Sequence, residues 1–146
     1  MSEASTAKVK IAVNGRVERA SIRYYWAIRG WPKRTSHLME LSRGDGQTFT
    51  GRDRYDYFGA MLNLRLSLEQ HGILLMCMGA RRDVWPSGMQ RDMAQGLCAT
   101  QRSWNGKNVS HESIFMEITP EEVAMVEEQK QYVNWLVRHA AKLVAV

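Results

Sequence analysis

The sequence predicts an α+β fold, a single domain in which a mainly antiparallel sheet is interrupted by helices. Three observations carry that expectation. Asn14-Gly15 sits between two strand-like runs and is the strongest short hairpin signal, because both turn residues tolerate positive φ. Residues from Asp53 to His71 repeat apolar side chains at helical spacing. Thr119-Pro120-Glu121-Glu122 combines a cap, a proline at the first helical position and a reciprocal glutamate, which together open a helix.

Residues 1–7 are small and polar and read as a disordered N-terminus, leaving 8–146 as the domain. Lys8–Val13 and Val17–Ile28 form the first hairpin. Its two-residue loop pairs Val9 with Ala20 and sets Ile11 and Val13 on one face with Ile22, Tyr24 and Trp26. Arg16 and Glu18 fall on that apolar face near the tip, so a bulge is expected there. The opposite face collects Lys8, Lys10, Arg19 and Arg23. Trp31-Pro32 ends the strand, since proline offers no ladder donor. His37–Arg43 and Gln47–Thr50 form a weaker hairpin, with Arg43-Gly44-Asp45 read as part of a tight turn.

The first longer helix covers about 53–71, with Asp53 beginning it and Asp56 placing charge where the helix dipole favours it. Tyr57, Met61, Leu64 and Leu68 form its apolar stripe, widened by Phe58 and Leu62, and Gly72 supplies a left-handed cap. Ile73–Met78 lacks alternation and reads as a central strand covered on both faces. Ser87 with Gln90 makes a capping box for a short helix at about 88–94, closed by Gly96. Leu97–Arg102 and Ser113–Ile118 are strand candidates joined through Asn105-Gly106. The second longer helix, at about 120–143, carries the stripe Val123, Val126, Val133, Val137 and Ala140.

Composition narrows the function classes. The 146 residues are 45% hydrophobic and 24% charged, which fits a globular chain and not a disordered one. The longest apolar run, Ile73–Met78, is far short of the roughly 20 residues a membrane helix needs. Glu3 sits where a signal peptide wants positive charge, so the cytoplasm is the expected location and no membrane partner is expected. Cys77 and Cys98 lack a Cys-x-x-Cys spacing and read as reduced thiols, and the four histidines are scattered, so no metal or cofactor is expected. The net charge of +5 permits a phosphate-rich partner without demanding one. The phosphate-loop, nucleophile-elbow and dinucleotide signatures are all missing, and no histidine has a carboxylate at a spacing that enforces contact, so an enzyme is not the expected reading.

The stretch from Gly79 to Met93 concentrates three arginines, two aspartates and a tryptophan ahead of and within the short helix. Three readings compete. Arg81, Arg82 and Arg91 near the Ser87 helix start suit an anion. Trp85 and the arginines suit a protein contact. As structure, Arg82–Asp83 and Arg91–Asp92 neutralise each other or partners elsewhere, and Trp85 plugs a core edge. Glu127 and Glu128 on the closing helix add a charged contact for a basic protein. A further reading places single-stranded nucleic acid on the Lys8, Lys10, Arg19, Arg23 face, with Tyr25 and Trp31 as stacking rings.

Leu-Arg-Leu-Ser-Leu-Glu-Gln-His-Gly at 64–72, followed by the run from Leu74 to Met93, resembles small bacterial immunity proteins encoded beside contact-dependent inhibition and other polymorphic toxins. The resemblance spans about residues 64–93. It implies a monomer or weak dimer that binds the toxin domain of its own system and blocks it stoichiometrically, with Arg81, Arg82, Asp83, Trp85, Arg91, Glu127 and Glu128 as the candidate contact residues and no catalytic residue. Such proteins often oppose basic toxins with acidic surfaces, from which a chain of +5 departs.

Overall fold

The computed structural model describes residues 2–144, with side chains to His139. Four strands come first: β1 (Ser5–Val13), β2 (Arg16–Arg29), β3 (Arg34–Arg43) and β4 (Thr48–Asp53). They are followed by α1 (Tyr57–Glu69), β5 (Ile73–Leu75), β6 (Val84–Trp85), α2 (Gly88–Met93), β7 (Ala99–Gln101), β8 (Val109–His111) and α3 (Val126–Val144). Short 3-10 turns occupy Met78–Ala80 and Pro120–Glu122. One antiparallel sheet has the order β4-β3-β2-β1-β5, and a smaller one the order β6-β7-β8. The class is α+β, as the sequence predicts.

The first hairpin folds in the expected register, Val9 opposite Ala20. Pairing runs unbroken from Ser5↔Tyr24 to Val13↔Arg16, so no bulge forms. Glu18 is accommodated instead by Arg43, which donates from Nε to Oε2 at 3.2 Å and from Nη2 to Oε1 at 3.0 Å. A forked guanidinium satisfies both carboxylate oxygens at once, which relieves the need to twist Glu18 off the face. Strand pairing also begins inside the stretch read as frayed, and the Ser2 amide donates to the Trp26 carbonyl at 3.0 Å. At the β3–β4 turn, Asp45 Oδ1 accepts from the Gln47 amide at 2.9 Å, an Asx turn.

Helix α1 lies across the inner face of this sheet. It starts four residues later than the periodicity suggests, because Asp53 still pairs with His37 and its Oδ2 accepts from the Tyr55 and Asp56 amides. Asp56 is the actual N-cap, accepting from the Gly59 amide at 2.7 Å. The helix ends at Glu69, and Gly72 then takes φ +70°. Gly51 lets helix and strand approach, since a Cβ there would stand 2.2 Å from the Leu64 amide nitrogen. Phe58, Met61, Leu64 and Leu68 pack with Ile11, Ile22, Met39 and Leu41 in the core. Each such side chain removed from water contributes roughly 1.5–3 kcal/mol.

Three expectations need correction. The Ile73–Met78 run is not a central strand: β5 sits at the sheet edge against β1. Its burial comes from the chain beyond it, where Met76–Met78 lies beside Met116–Ile118 through a Cys77↔Glu117 bridge. The Ser113–Ile118 candidate is that covering segment, and β7 pairs instead with β8 at 109–111, while β6 had no counterpart in the sequence reading. The 120–143 helix is divided: the Thr119–Glu122 capping box opens a 3-10 turn, the Ala124 amide donates to the Ala80 carbonyl, and α3 begins only at Val126. The inward residues of α3 are Val126, Gln129 and Leu136, with Val133 half-buried, whereas Val137 faces solvent. Ala140, placed on the apolar stripe by its spacing, lies outside the described side chains.

Candidate functional site

The arginine-rich loop after β5 is held from beneath by two buried polar side chains. Arg65, on the inward side of α1, donates from Nη1 to the Gly79 carbonyl at 3.2 Å and from Nη2 to the Ala124 carbonyl at 2.7 Å, and also bonds Gln129 Oε1. Gln129 Nε2 in turn reaches the carbonyls of Gly79 (2.9 Å), Arg81 (3.0 Å) and Val84 (2.8 Å). Burial lowers the Arg65 pKa to about 10, with the Glu69 carboxylate opposing the shift, so the guanidinium stays charged at neutral pH. Glu69 also accepts from the Val126 amide at 2.9 Å and so takes up an orphan donor at the start of α3. The path of residues 79–85 is therefore set by α1 and α3 together.

On the outer side of that loop, Arg81 donates to Asp83 Oδ1 at 2.7 Å and pairs with Glu122. The Thr119 amide and hydroxyl both donate to Glu122 and hold its pKa below the usual carboxylate value, with Arg81 adding to the effect. Arg82 is exposed and lies over the Tyr132 ring, 4.5 Å from its centroid. Arg81, Arg82, Asp83, Glu122, Glu128 and Tyr132 line a cleft of about 320 Å³. Sequence spacing alone does not bring Arg81 to Glu122, 41 residues away.

Trp85 points elsewhere. Its ring packs edge-on against Phe58 at 5.0 Å and borders a second, larger groove of about 720 Å³ between α3 and the 102–108 loop. Trp104 and Val137 flank this groove and are 67% and 65% exposed. Farther along the outer surface of α3, Tyr132, Trp135 and His139 stack successively, Trp135 and His139 with centroids 3.9 Å apart. Of the seven candidate residues, Arg81, Arg82, Asp83 and Glu128 meet in one cleft, and Trp85 borders the neighbouring groove. Arg91 is drawn off to the buried N-cap Asp56, at 2.9 Å, with its guanidinium against Phe58 and Trp85. Arg91 is thus neutralised by a partner elsewhere and not by Asp92, Asp83 pairs with Arg81 and not with Arg82, and Trp85 packs at the core edge. Glu127 is exposed on α3 and lines neither groove.

Sequence reasoning missed Arg65, Gln129, Tyr132, Trp104 and Trp135. Arg65 had a signal: a charged residue between Met61 and Leu68 on an apolar stripe must find buried partners. Tyr132, Trp135 and His139 recur at helical spacing, which marks an aromatic row.

The opposite side of the sheet holds the basic hairpin face. Lys8, Lys10 and Arg19 line a groove of about 530 Å³, with Lys10 paired to Glu117 at 3.1 Å. Arg23 pairs with Glu40 at 3.2 Å and covers the ring of buried Tyr25 at 4.7 Å. Tyr25 is thus not a free stacking surface. Burial pushes the Cys77 thiol up to about 12, which keeps it protonated. Among the described residues, no group of three or more His, Cys, Asp or Glu side chains is placed to hold a metal ion, and no helix is long and apolar enough to cross a membrane. Compared with known proteins, the chain matches no family model, and no curated protein is significantly similar to it.

Proposed function

We propose that this chain is an immunity protein, a binding module that neutralises a cognate bacterial toxin domain by stoichiometric occlusion of its active site or substrate path. The observation that carries the reading is that the 79–85 loop, the 102–108 loop and α3 frame two grooves, one lined by Arg81, Arg82 and Tyr132 and the other by Trp85, Trp104 and Val137. Trp104 and Val137 stand exposed at the second groove, and Trp135, exposed on α3, stacks on Tyr132 of the Arg81–Arg82 cleft. Aromatic and arginine side chains next to a shaped groove are the residue types that dominate binding energy at protein interfaces. An exposed apolar surface of this kind marks interaction sites in soluble proteins. The energetic anchors are then Trp104, Trp135 and Arg82, while Arg81 and Arg91 hold the scaffold. Glu121 and Glu128 put carboxylates at the rim of the Arg81–Arg82 cleft, but Arg81, Arg82, Arg102 and Lys107 outnumber them, so this surface, like the whole chain at +5, does not work by bulk acidity.

The reading is tested by co-expression with the toxin-like product encoded beside it. Rescue of growth and co-purification of an equimolar complex are expected, and failure of both overturns it. Trp104→Ala combined with Trp135→Ala is expected to weaken the complex by about 2–4 kcal/mol while leaving the fold intact. The runner-up reading, nucleic acid on the hairpin face, draws on the Lys8–Lys10–Arg19 groove, but Lys10 and Arg23 there already have carboxylate partners. A salt titration separates the two, because phosphate-driven affinity falls steeply with ionic strength and a packed protein interface holds.

A further inference from the structure

The far end of the large sheet carries cations that neither reading uses, beside Trp31, which the hairpin-face reading takes as a stacking ring. Arg29 and Arg34 stand directly opposite each other where β2 and β3 meet, with Lys33 in the connecting turn. Like charges so opposed weaken a two-stranded ribbon, so the pair is a cost to the fold. By strand register Arg52 of β4 shares their face, the one turned away from α1, and Arg54 follows just beyond the strand. All five cations are exposed, and among the described residues none forms an ion pair. The nearest carboxylate along the chain, Asp53, is turned onto the amides of Tyr55 and Asp56.

Two rings accompany these charges. Trp31, in the β2–β3 turn, is 91% exposed, and Tyr55 is 75% exposed with the Arg54 guanidinium 5.8 Å from its ring centroid, farther than Arg23 lies from buried Tyr25. Among the described residues, no ring or cation packs against Trp31 to account for its place there.

We propose that this end of the sheet binds single-stranded nucleic acid, with Arg29, Lys33, Arg34, Arg52 and Arg54 on phosphates and Trp31 and Tyr55 stacked on bases. Charge complementarity selects a polyanion, and four arginines out of five cations favour phosphate, which a guanidinium grips with two parallel hydrogen bonds. Flat rings spaced among cations match the way single strands are held, through sequence-tolerant stacking above a positive track. An anionic bilayer would instead call for apolar side chains gathered at one level. Here one ring sits in the β2–β3 turn and the other beyond β4, with charge between them. None of these residues belongs to the toxin-facing surface, so either assignment can fail alone.

The test is fluorescence anisotropy of the full chain with a labelled, mixed-sequence single-stranded RNA of about 15 nucleotides, with thermal unfolding of every variant as the check on folding. Affinity is expected to fall steeply between about 50 and 200 mM salt. Trp31→Ala is expected to weaken binding roughly tenfold. Arg29→Gln with Arg34→Gln is expected to flatten the dependence of log affinity on log salt by about 0.7 per cation removed. Lys8→Gln with Arg19→Gln is expected to change nothing. Absence of binding by the intact chain overturns the proposal. So does equal loss in the Lys8 and Arg19 variant, or Trp31-dependent capture on phosphatidylserine vesicles without RNA binding.

Discussion

The two halves of the molecule are held together by different chemistry. From β1 to β5 the fold rests on apolar burial: Ile11, Ile22, Met39, Leu41, Leu64 and Leu68 close a continuous core between sheet and helix. From the 79–85 loop to α3 it rests more on polar bonds, with Arg65 and Gln129 holding backbone carbonyls that no strand partner satisfies. Apolar burial is non-directional and tolerates adjustment, whereas hydrogen bonds fix a particular loop shape and are expensive when left unmade. The contrast places a rigid support under a surface whose form depends on a few side chains.

The largest expected effect tests the first half. Leu64→Ala removes a fully buried side chain beneath β4 and is expected to cost about 2–5 kcal/mol, read as a lower denaturant midpoint for the whole chain. If the halves differ as described, Gln129→Ala behaves otherwise. It leaves the Val84 carbonyl unpaired, takes one of two donors from the Gly79 and Arg81 carbonyls, and is expected to cost about 1–3 kcal/mol. Amide hydrogen exchange is then faster in 79–85 and α3 while β2 and β3 stay protected. A uniform loss of protection would erase the distinction.

Smaller effects follow at the boundary of the second half. Glu122 has a folded pKa below its ordinary 4.5, so its contribution is present above that value and is lost as pH falls through the folded one. Between neutral pH and about pH 3, Glu122→Gln is expected to flatten the pH dependence of stability relative to the parent chain. The smallest change is expected on the hairpin: Glu18→Ala breaks a partly exposed pair with Arg43 and is expected to cost about 0–1 kcal/mol in the same denaturation experiment.

Legibility in the sequence follows the same division. The Asn14-Gly15 hairpin, its register and its apolar face are local facts, set by a turn and a period of two. The Tyr57–Leu68 stripe and the Ser87–Gln90 capping box are equally local, and both appear in the fold. Boundaries shifted where a side chain answered to a distant partner or a nearby amide, as at Asp53, Glu18 and the divided 120–143 segment. In the site, the Arg81–Trp85 loop stood out because it broke all periodicity. Its pairings did not, because Arg81–Glu122 and Arg91–Asp56 join residues 41 and 35 apart, beyond any spacing rule. Gln129 reads locally as an ordinary helix residue, whereas Arg65 is marked by its charge on the apolar stripe, but nothing local names the carbonyls either one holds.

Gln129 gives the molecule an order of dependence. Its single amide group fixes carbonyls that lie 45 to 50 residues earlier in the chain, so the loop acquires its shape only once the last helix is seated. Without α3 the loop loses all three Gln129 bonds and keeps only the Arg65 bond to Gly79 and its own pairings. The same holds for a chain cut ahead of Gln129. The surface assigned to partner binding is thus completed last, and a damaged or unfinished copy carries the support without the shape that a partner reads.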